Sequence, residues 1–423
     1  MRVRKFISVV ATLALGLACG CGGKADLESA PLLAIPSRAV AVAHFTRVDK
    51  ALPLLVDSTS RLRAIDYGSL HNSEMAFCYL YSASLVPVLV IDAGHADADT
   101  SHQVKKILQQ AAEAGIASAY TGDKLKKRSL LILSTSQAEV NESLLHLEEH
   151  SSILDAPGFR QAIERAEAKA GAVIMRGTGT RRWLPKSFLS DVYQRFPLIK
   201  FIESFSEWTA GVFDSYDASE LELQYLPDPL FGHFSSVLEN IRGGESKLAG
   251  VLPKDFSFAM DLPVADFASW QSAYQKYLDV KALLPRNKKT QAIIKESCGI
   301  TPVQWGKNNK IKEVALVRFG DSGVILARCG KRLKQQGVVK DNDCPGAAPA
   351  LFGDAFRLED QSRSLAFGHW LVIGSEEAIQ AFIAADKGVK GCPIPKKDCK
   401  FAVCTPQWQI ADCGDKIKLN IWN

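Results

Sequence analysis

The sequence predicts an α+β fold: duplicated strand–helix–hairpin–helix modules with antiparallel sheets and helices packed on them. Two observations carry this expectation. Short segments recur in the same order in both halves of the chain, and the strand-like runs come in hairpins with helices between them. A third observation bounds it. A chain of 423 residues with 47% hydrophobic and 23% charged side chains holds enough apolar material for two or three domains with cores of their own.

Residues 1–20 read as a lipoprotein signal peptide. Arg2, Arg4 and Lys5 make a basic start, and Phe6–Leu17 is an uncharged, mostly apolar stretch of twelve residues. That length is too short to span a bilayer and right for the apolar part of a secretory signal. It runs into Leu17-Ala18-Cys19-Gly20-Cys21-Gly22. Small residues followed by Cys are what signal peptidase II requires before the thiol carries a diacylglycerol. Cys21, preceded by Gly20 and with Ala18 three positions before it, is the expected lipidation site, and Cys19 is the alternative. An ordinary secretory signal would place small residues at its cleavage site with no need for Cys. Acyl chains contribute ~0.8 kcal/mol per buried CH₂, so two or three of them anchor a protein stably. Residues 21–35 then form a tether leaving the membrane.

The repeats organise the rest. Ile35-Pro36-Ser37-Arg38-Ala39-Val40-Ala41-Val42-Ala43-His44-Phe45 aligns with Leu252-Pro253-Lys254-Asp255-Phe256-Ser257-Phe258-Ala259-Met260-Asp261-Leu262. In each, Pro precedes a strand-like run, where its missing N–H costs least. An Asp follows (Asp49, Asp266), suited to capping the next helix. Glu74-Met75-Ala76-Phe77 matches Glu313-Val314-Ala315-Leu316, and both open hairpins that close near Gly94 and Gly330. Leu131-Ile132-Leu133 with the helix from Ser136 matches Leu371-Val372-Ile373 with the helix from Ser375. Each is a buried strand followed by a Ser-initiated amphipathic helix.

A middle segment looks like a partial copy, with a strand at Gly171–Met175, a helix over 186–205 and a hairpin over Trp208–Tyr225. The expected organisation is therefore a first module at 36–168, a partial middle module at 169–250 and a second module at 251–388. Gly243-Gly244-Glu245-Ser246 marks the boundary between halves. Each sheet is expected to carry its helices on one face. The layout resembles bacterial envelope lipoproteins of unknown function built from tandem α+β modules, over residues 20–388. The resemblance implies a lipidated Cys and no known activity.

Residues 389–423 form a Cys-rich tail. Cys392, Cys399, Cys404 and Cys413 fall within 22 residues and can pair in three ways. An exported chain favours disulfides. The intervals hold no Cys-x-x-Cys knuckle, so zinc is a weak rival. The tail could also be a divergent or truncated end of the second module. Cys78 and Cys329 fall in strands as small buried hydrophobes, and Cys329 could bridge a loop to Cys344.

Of the formal net charge of +5, three positive charges sit in the leader as Arg2, Arg4 and Lys5, leaving +2 for the rest. That balance argues against nucleic-acid binding, which needs a concentrated basic face. His146-Leu147-Glu148-Glu149-His150 matches the H-x-x-E-H pattern of inverted zinc peptidases, with His146 and His150 as ligands and Glu149 as base. The apolar residues Val140, Leu144 and Leu147 face inward, which leaves both His toward solvent. Gly320-Asp321-Ser322-Gly323 copies a serine-protease core but is turn chemistry within a hairpin.

The loop Gly94–His102 clusters two His and two Asp, more consistent with a helix cap before Gln103 than with a metal. Gly177-Thr178-Gly179-Thr180-Arg181-Arg182 lacks the third Gly of a dinucleotide fingerprint. The basic runs Lys124–Arg128 and Lys307–Lys312 are short solvated segments, and the Trp residues share no repeat position. The expectation is a membrane-anchored lipoprotein of the cell envelope acting as a binding or structural module. It has no enzymatic activity and no cofactor. Its partners are the membrane, through the N-terminal lipid, and an envelope protein or ligand. The alternatives are a zinc-dependent hydrolase using His146, Glu149 and His150, and a ligand or glycan carrier.

Overall fold

A computed structural model describes residues 30–56, 58–81, 85–95, 98–122, 128–166, 170–177, 204–216, 220–226, 228, 230–333, 338–388, 397–406, 408–412 and 417–421. Among these, residues 30–226 form one compact unit and residues 228–421 a second. No helix among the described residues is long and apolar enough to cross a membrane. The fold is α+β, with antiparallel strands throughout both units.

Unit 1 carries strands β1 Ala41–Phe45, β2 Met75–Tyr81, β3 Leu85–Gly94, β4 Ala117–Tyr120, β5 Ser129–Ser134, β6 Gly171–Arg176, β7 Trp208–Phe213 and β8 Glu220–Tyr225. Its helices are α1 Ala30–Leu33, α2 Val48–Leu55, α3 Ala98–Glu113, α4 Gln137–Glu148 and α5 Phe159–Ala166. Across the sheet the order is β4-β5-β3-β2-β1-β6-β7-β8. Successive strand residues point to opposite faces, and here both faces are apolar. Leu89, Ile91, Leu131 and Leu133 enter one core with Val48, Leu52, Val104 and Ile107 of α2 and α3. Val88, Val90, Leu130 and Ile132 enter another with Leu32, Val140, Phe159 and Ile163 of α1, α4 and α5. The expectation of helices on one face is corrected accordingly. The physical reason lies in runs such as Leu130–Leu133, apolar at consecutive positions, which a one-sided sheet would expose. Gly171 lets β6 close onto β1: a Cβ there would lie 2.2 Å from Phe45 Cδ1 and 2.5 Å from the His44 carbonyl.

Unit 2 carries β9 Phe256–Pro263, β10 Ile311–Phe319, β11 Ser322–Cys329, β12 Lys340–Asp341, β13 Arg363–Phe367, β14 Trp370–Gly374, β15 Phe401–Cys404, β16 Trp408–Asp412 and β17 Ile417–Ile421. Its helices are α6 Ser235–Glu239, α7 Phe267–Val280, α8 Leu284–Cys298, α9 Pro302–Asn309, α10 Ala347–Phe352 and α11 Glu376–Ala384. The order is β12-β13-β14-β11-β10-β9-β15-β16-β17. Without the two-residue β12, this repeats the unit 1 order strand for strand. The registers agree too. His44 on β1 stands opposite Ala76 of β2 and Ala172 of β6, and Asp261 on β9 stands opposite Ala315 of β10 and Ala402 of β15.

That correspondence corrects the expected domain limits. Strands β6–β8 are not a partial third module; they complete the unit 1 sheet. Strands β15–β17, in the Cys-rich tail, are their counterparts and complete unit 2. The expected limits at 168/169 and 388/389 therefore fall inside sheets. Nor is Gly243–Ser246 the boundary between the halves, which falls after Leu226. A Cβ on Gly243 would lie 2.4 Å from the Asp398 carbonyl, and one on Gly244 would lie 2.9 Å from Pro263 Cβ. These glycines permit close packing within unit 2, where Gly244 bridges to Cys399. Capping differs between the copies as well. Asp266 accepts from the Ala268 and Ser269 N–H groups at the start of α7, and Ser375 accepts from Ala378 N–H at the start of α11. Asp49 instead sits inside the first turn of α2 paired with Arg47, and Ser136 makes no side-chain cap bond.

Candidate functional site

In unit 2 the sheet places two acids where strands are normally apolar. Asp261, between Met260 and Leu262 on β9, is 1% exposed, and Glu313 on β10 is fully buried. The segment entering the unit satisfies both. Ser246 Oγ donates to Asp261 Oδ2 at 2.6 Å, and the Lys247 backbone N–H donates to Glu313 Oε1 at 2.9 Å. From β11, directly opposite Glu313, Arg328 donates Nε–H to Glu313 Oε2 at 2.5 Å and Nη2–H to the Glu245 carbonyl at 2.7 Å. Asp261 Oδ1 is buried and receives no donor. Burial first, and the Glu313 charge second, hold the Asp261 carboxyl well above the usual carboxylate range. Burial raises Glu313 as well, opposed chiefly by Arg328. The arrangement is two buried carboxyl groups side by side, both raised by burial, with the Arg328 guanidinium balancing Glu313.

Unit 1 carries a polar pair at the equivalent positions. His44, 3% exposed, donates Nε2–H to Glu74 Oε1 at 2.6 Å. A second polar cluster in unit 1 pairs Arg38 with Glu139 at 2.5 Å and with Glu142. Burial raises the Glu139 carboxyl, and the bond from Arg38 lowers that of Glu142.

Next to the unit 2 pair lies a cleft of about 690 Å³, with Gly243, Gly244, Lys312, Arg328, His369 and Lys397 in its wall. Glu245 and Asp398 also line it. Arg328 belongs to both places, forming cleft wall on one side and the Glu313 ion pair on the other. The cleft can take an anionic group against Lys312, Arg328 and Lys397. The carboxyl pair behind it is too deeply buried to exchange a proton directly with a ligand. The only sequence signal for this site was an acid at the centre of each of two strand-like runs.

The residues singled out from sequence fall elsewhere. Cys19, Cys21, Cys392 and Cys413 lie outside the described residues, as do residues 178–182 and most of the helix expected over 186–205. Cys399 and Cys404 are buried in the core of unit 2. The H-x-x-E-H segment does not present two imidazoles on one helical face. Helix α4 ends at Glu148, Glu149 is its C-cap, and His150 turns out with φ 51°. His146, expected toward solvent, is half-buried and bonds through Nδ1 to Ser151 Oγ at 2.8 Å. Gly320-Asp321 is a two-residue hairpin turn between Phe319 and Ser322. Helix α3 begins at Ala98, so Asp99, Thr100 and Ser101 lie within its first turns instead of before them. Trp208, Trp270, Trp305 and Trp370 are core residues. Compared with known proteins, the chain matches no family model, no curated protein and no solved structure.

Proposed function

We propose that this chain is a membrane-anchored lipoprotein of the cell envelope whose two α+β units act as a binding or structural module. The observation that carries the anchoring is the N-terminal pattern: Arg2, Arg4 and Lys5, the apolar Phe6–Leu17, then small residues up to Cys21. Cys21 takes the lipid, and residues beyond it hold the units at the membrane surface. The mass of the mature protein from membrane fractions tests this, with Cys21→Ala and Cys19→Ala variants beside it. An acyl-sized increment lost in Cys21→Ala supports the proposal. A soluble, unacylated wild type refutes it.

A second reading, a carrier of a small polar ligand, is favoured by the unit 2 cleft. Its size lies in the range of small-molecule sites, and its cationic wall suits an anionic group. Titration calorimetry with small carboxylates and phosphates on wild type and Lys312→Glu tests it. Equal heats for the two proteins would count against the cleft.

A further inference from the structure

Helix α8 runs along the segment that leads into α10. Asn287 Nδ2 donates to the Ala350 carbonyl at 2.9 Å, and a Cβ on Gly346 would meet Ile294 Cδ1 at 3.4 Å. Going up the helix from 287 to 294 thus goes down the partner segment from 350 to 346. One turn further, Cys298 ends the helix, and the same register brings it alongside Cys344, two residues before Gly346, close enough for each thiol to act electrostatically on the other. Neither is bonded to another cysteine. Their settings differ. Cys298 is half-exposed and Cys344 is fully buried. Cys344 is also held in place: its N–H donates to Asn342 Oδ1 at 3.2 Å, and its carbonyl accepts from Ala347 N–H at 3.1 Å.

We propose that Cys298 and Cys344 are a redox-active pair that closes to a disulfide on meeting an external disulfide. Cys298 is the attacking sulfur because it is the reachable one. Its thiolate displaces one thiolate from the external disulfide and forms a mixed disulfide. Cys344 then loses its proton and attacks Cys298 Sγ, which releases the second external thiolate. Two protein S–H bonds are replaced by one S–S bond, and the external disulfide takes up both electrons to become two thiols. Burial and the Cys298 thiol alongside push Cys344 up to about 12, which suits a resolving thiol that reacts only once its neighbour has been activated. The closed bond ties the end of α8 to the approach to α10. It replaces the bridge from Cys329 to Cys344 that spacing suggested, since Cys329 ends β11 opposite Ile311.

The test is thiol mapping on the full chain. Protein is incubated with oxidised or reduced glutathione, quenched in acid, alkylated, digested and weighed. The oxidised sample is expected to yield a Cys298–Cys344 cross-linked peptide about 2 mass units lighter than the two thiol peptides together. Cys344→Ser is expected to accumulate a glutathione adduct on Cys298, because the resolving sulfur is gone. Alkylation of both cysteines after oxidation, or a Cys298 bonded to any other cysteine, would overturn the proposal, as would a Cys344→Ser protein that gains no adduct.

Discussion

Replacing Asp261 by Asn separates a shared proton from an ordinary ion pair. In the fold, Asp261 Oδ2 accepts from Ser246 and Oδ1 receives no donor, while burial and Glu313 keep the carboxyl protonated well above its usual range. Asn is a neutral group of the same shape whose oxygen can accept from Ser246. Asn does not titrate, and this gives the prediction its sign. A carboxyl raised on folding contributes stability that is fully present below its unfolded value of about 3.9 and is lost as pH rises toward its folded value. Within that window wild type loses about 1.4 kcal/mol per pH unit relative to Asp261→Asn. Urea unfolding at several pH values, followed by tryptophan fluorescence, measures this, since Trp270, Trp305 and Trp370 are all buried in unit 2. Asp261→Asn should match wild type below about pH 3.9 and become the more stable protein as pH rises. Asp261→Ala, which removes the acceptor of the Ser246 hydroxyl bond, should cost about 1–3 kcal/mol. A constant loss of several kcal/mol in Asp261→Asn at every pH would refute the reasoning, because it would mean that Asp261 is ionised in the fold.

Arg38→Ala should destabilise unit 1 by about 1–3 kcal/mol at pH 7, because Glu139 would keep a buried carboxyl without its guanidinium. Glu139 is raised on folding, so the deficit should shrink as pH falls below about 5, as thermal melts at the two pH values would show. Gly243→Ala should cost about 1–3 kcal/mol through the clash with Asp398; a substitution without effect in chemical denaturation would refute the close packing. Trp208→Phe removes the bond from Nε1–H to the Pro157 carbonyl at 2.8 Å and the edge contact with Phe159. A loss of about 1–3 kcal/mol is expected in urea.

Most of the strands were legible because their signal is local. Pro36 and Pro253, Glu74 and Glu313, and the apolar triplets at 131 and 371 each announce an element within a few residues, and their order revealed a duplication. What was not legible was closure of the sheets. Strands β6 and β15 share only the Ala-Val dipeptide, at 172–173 and 402–403. Pairing between β15 and β9 spans some 140 residues, a distance over which no periodicity speaks. The Cys-rich composition of the tail also drew attention to its sulfur and away from the alternation of β15. The site was hidden for a different reason. An isolated Asp or Glu in a strand-like run is ordinarily read as a solvent-facing position, and only the register shows that Asp261 and Glu313 share a buried face. The two thiols at 298 and 344 were equally out of reach, since a helix end and a loop turn meet only in three dimensions.

The two polar pairs explain each other. Glu74 and Glu313 occupy the same place, half-buried in unit 1 and fully buried in unit 2, and each copy brings a donor to the carboxylate. In unit 1 the donor is His44 itself, and the position on β3 facing Glu74 is free to hold an acid, Asp92, which pairs outward with Arg128 at 3.4 Å. In unit 2 that imidazole is replaced by Asp261, which donates only when protonated, and the strand position corresponding to Asp92 carries Arg328. The donor has moved from the strand on one side of the glutamate to the strand on its other side. Buried ion pairs contribute little net stability compared with apolar residues of the same volume. Stability alone therefore does not account for a polar pair kept in both copies with its charges redistributed. The two solutions also differ in what they face. His44 and Glu74 satisfy each other locally, whereas Arg328 extends the unit 2 network into a cleft wall. Of the two copies, unit 2 is thus the one whose buried acid is paired with a cation that also forms cleft wall.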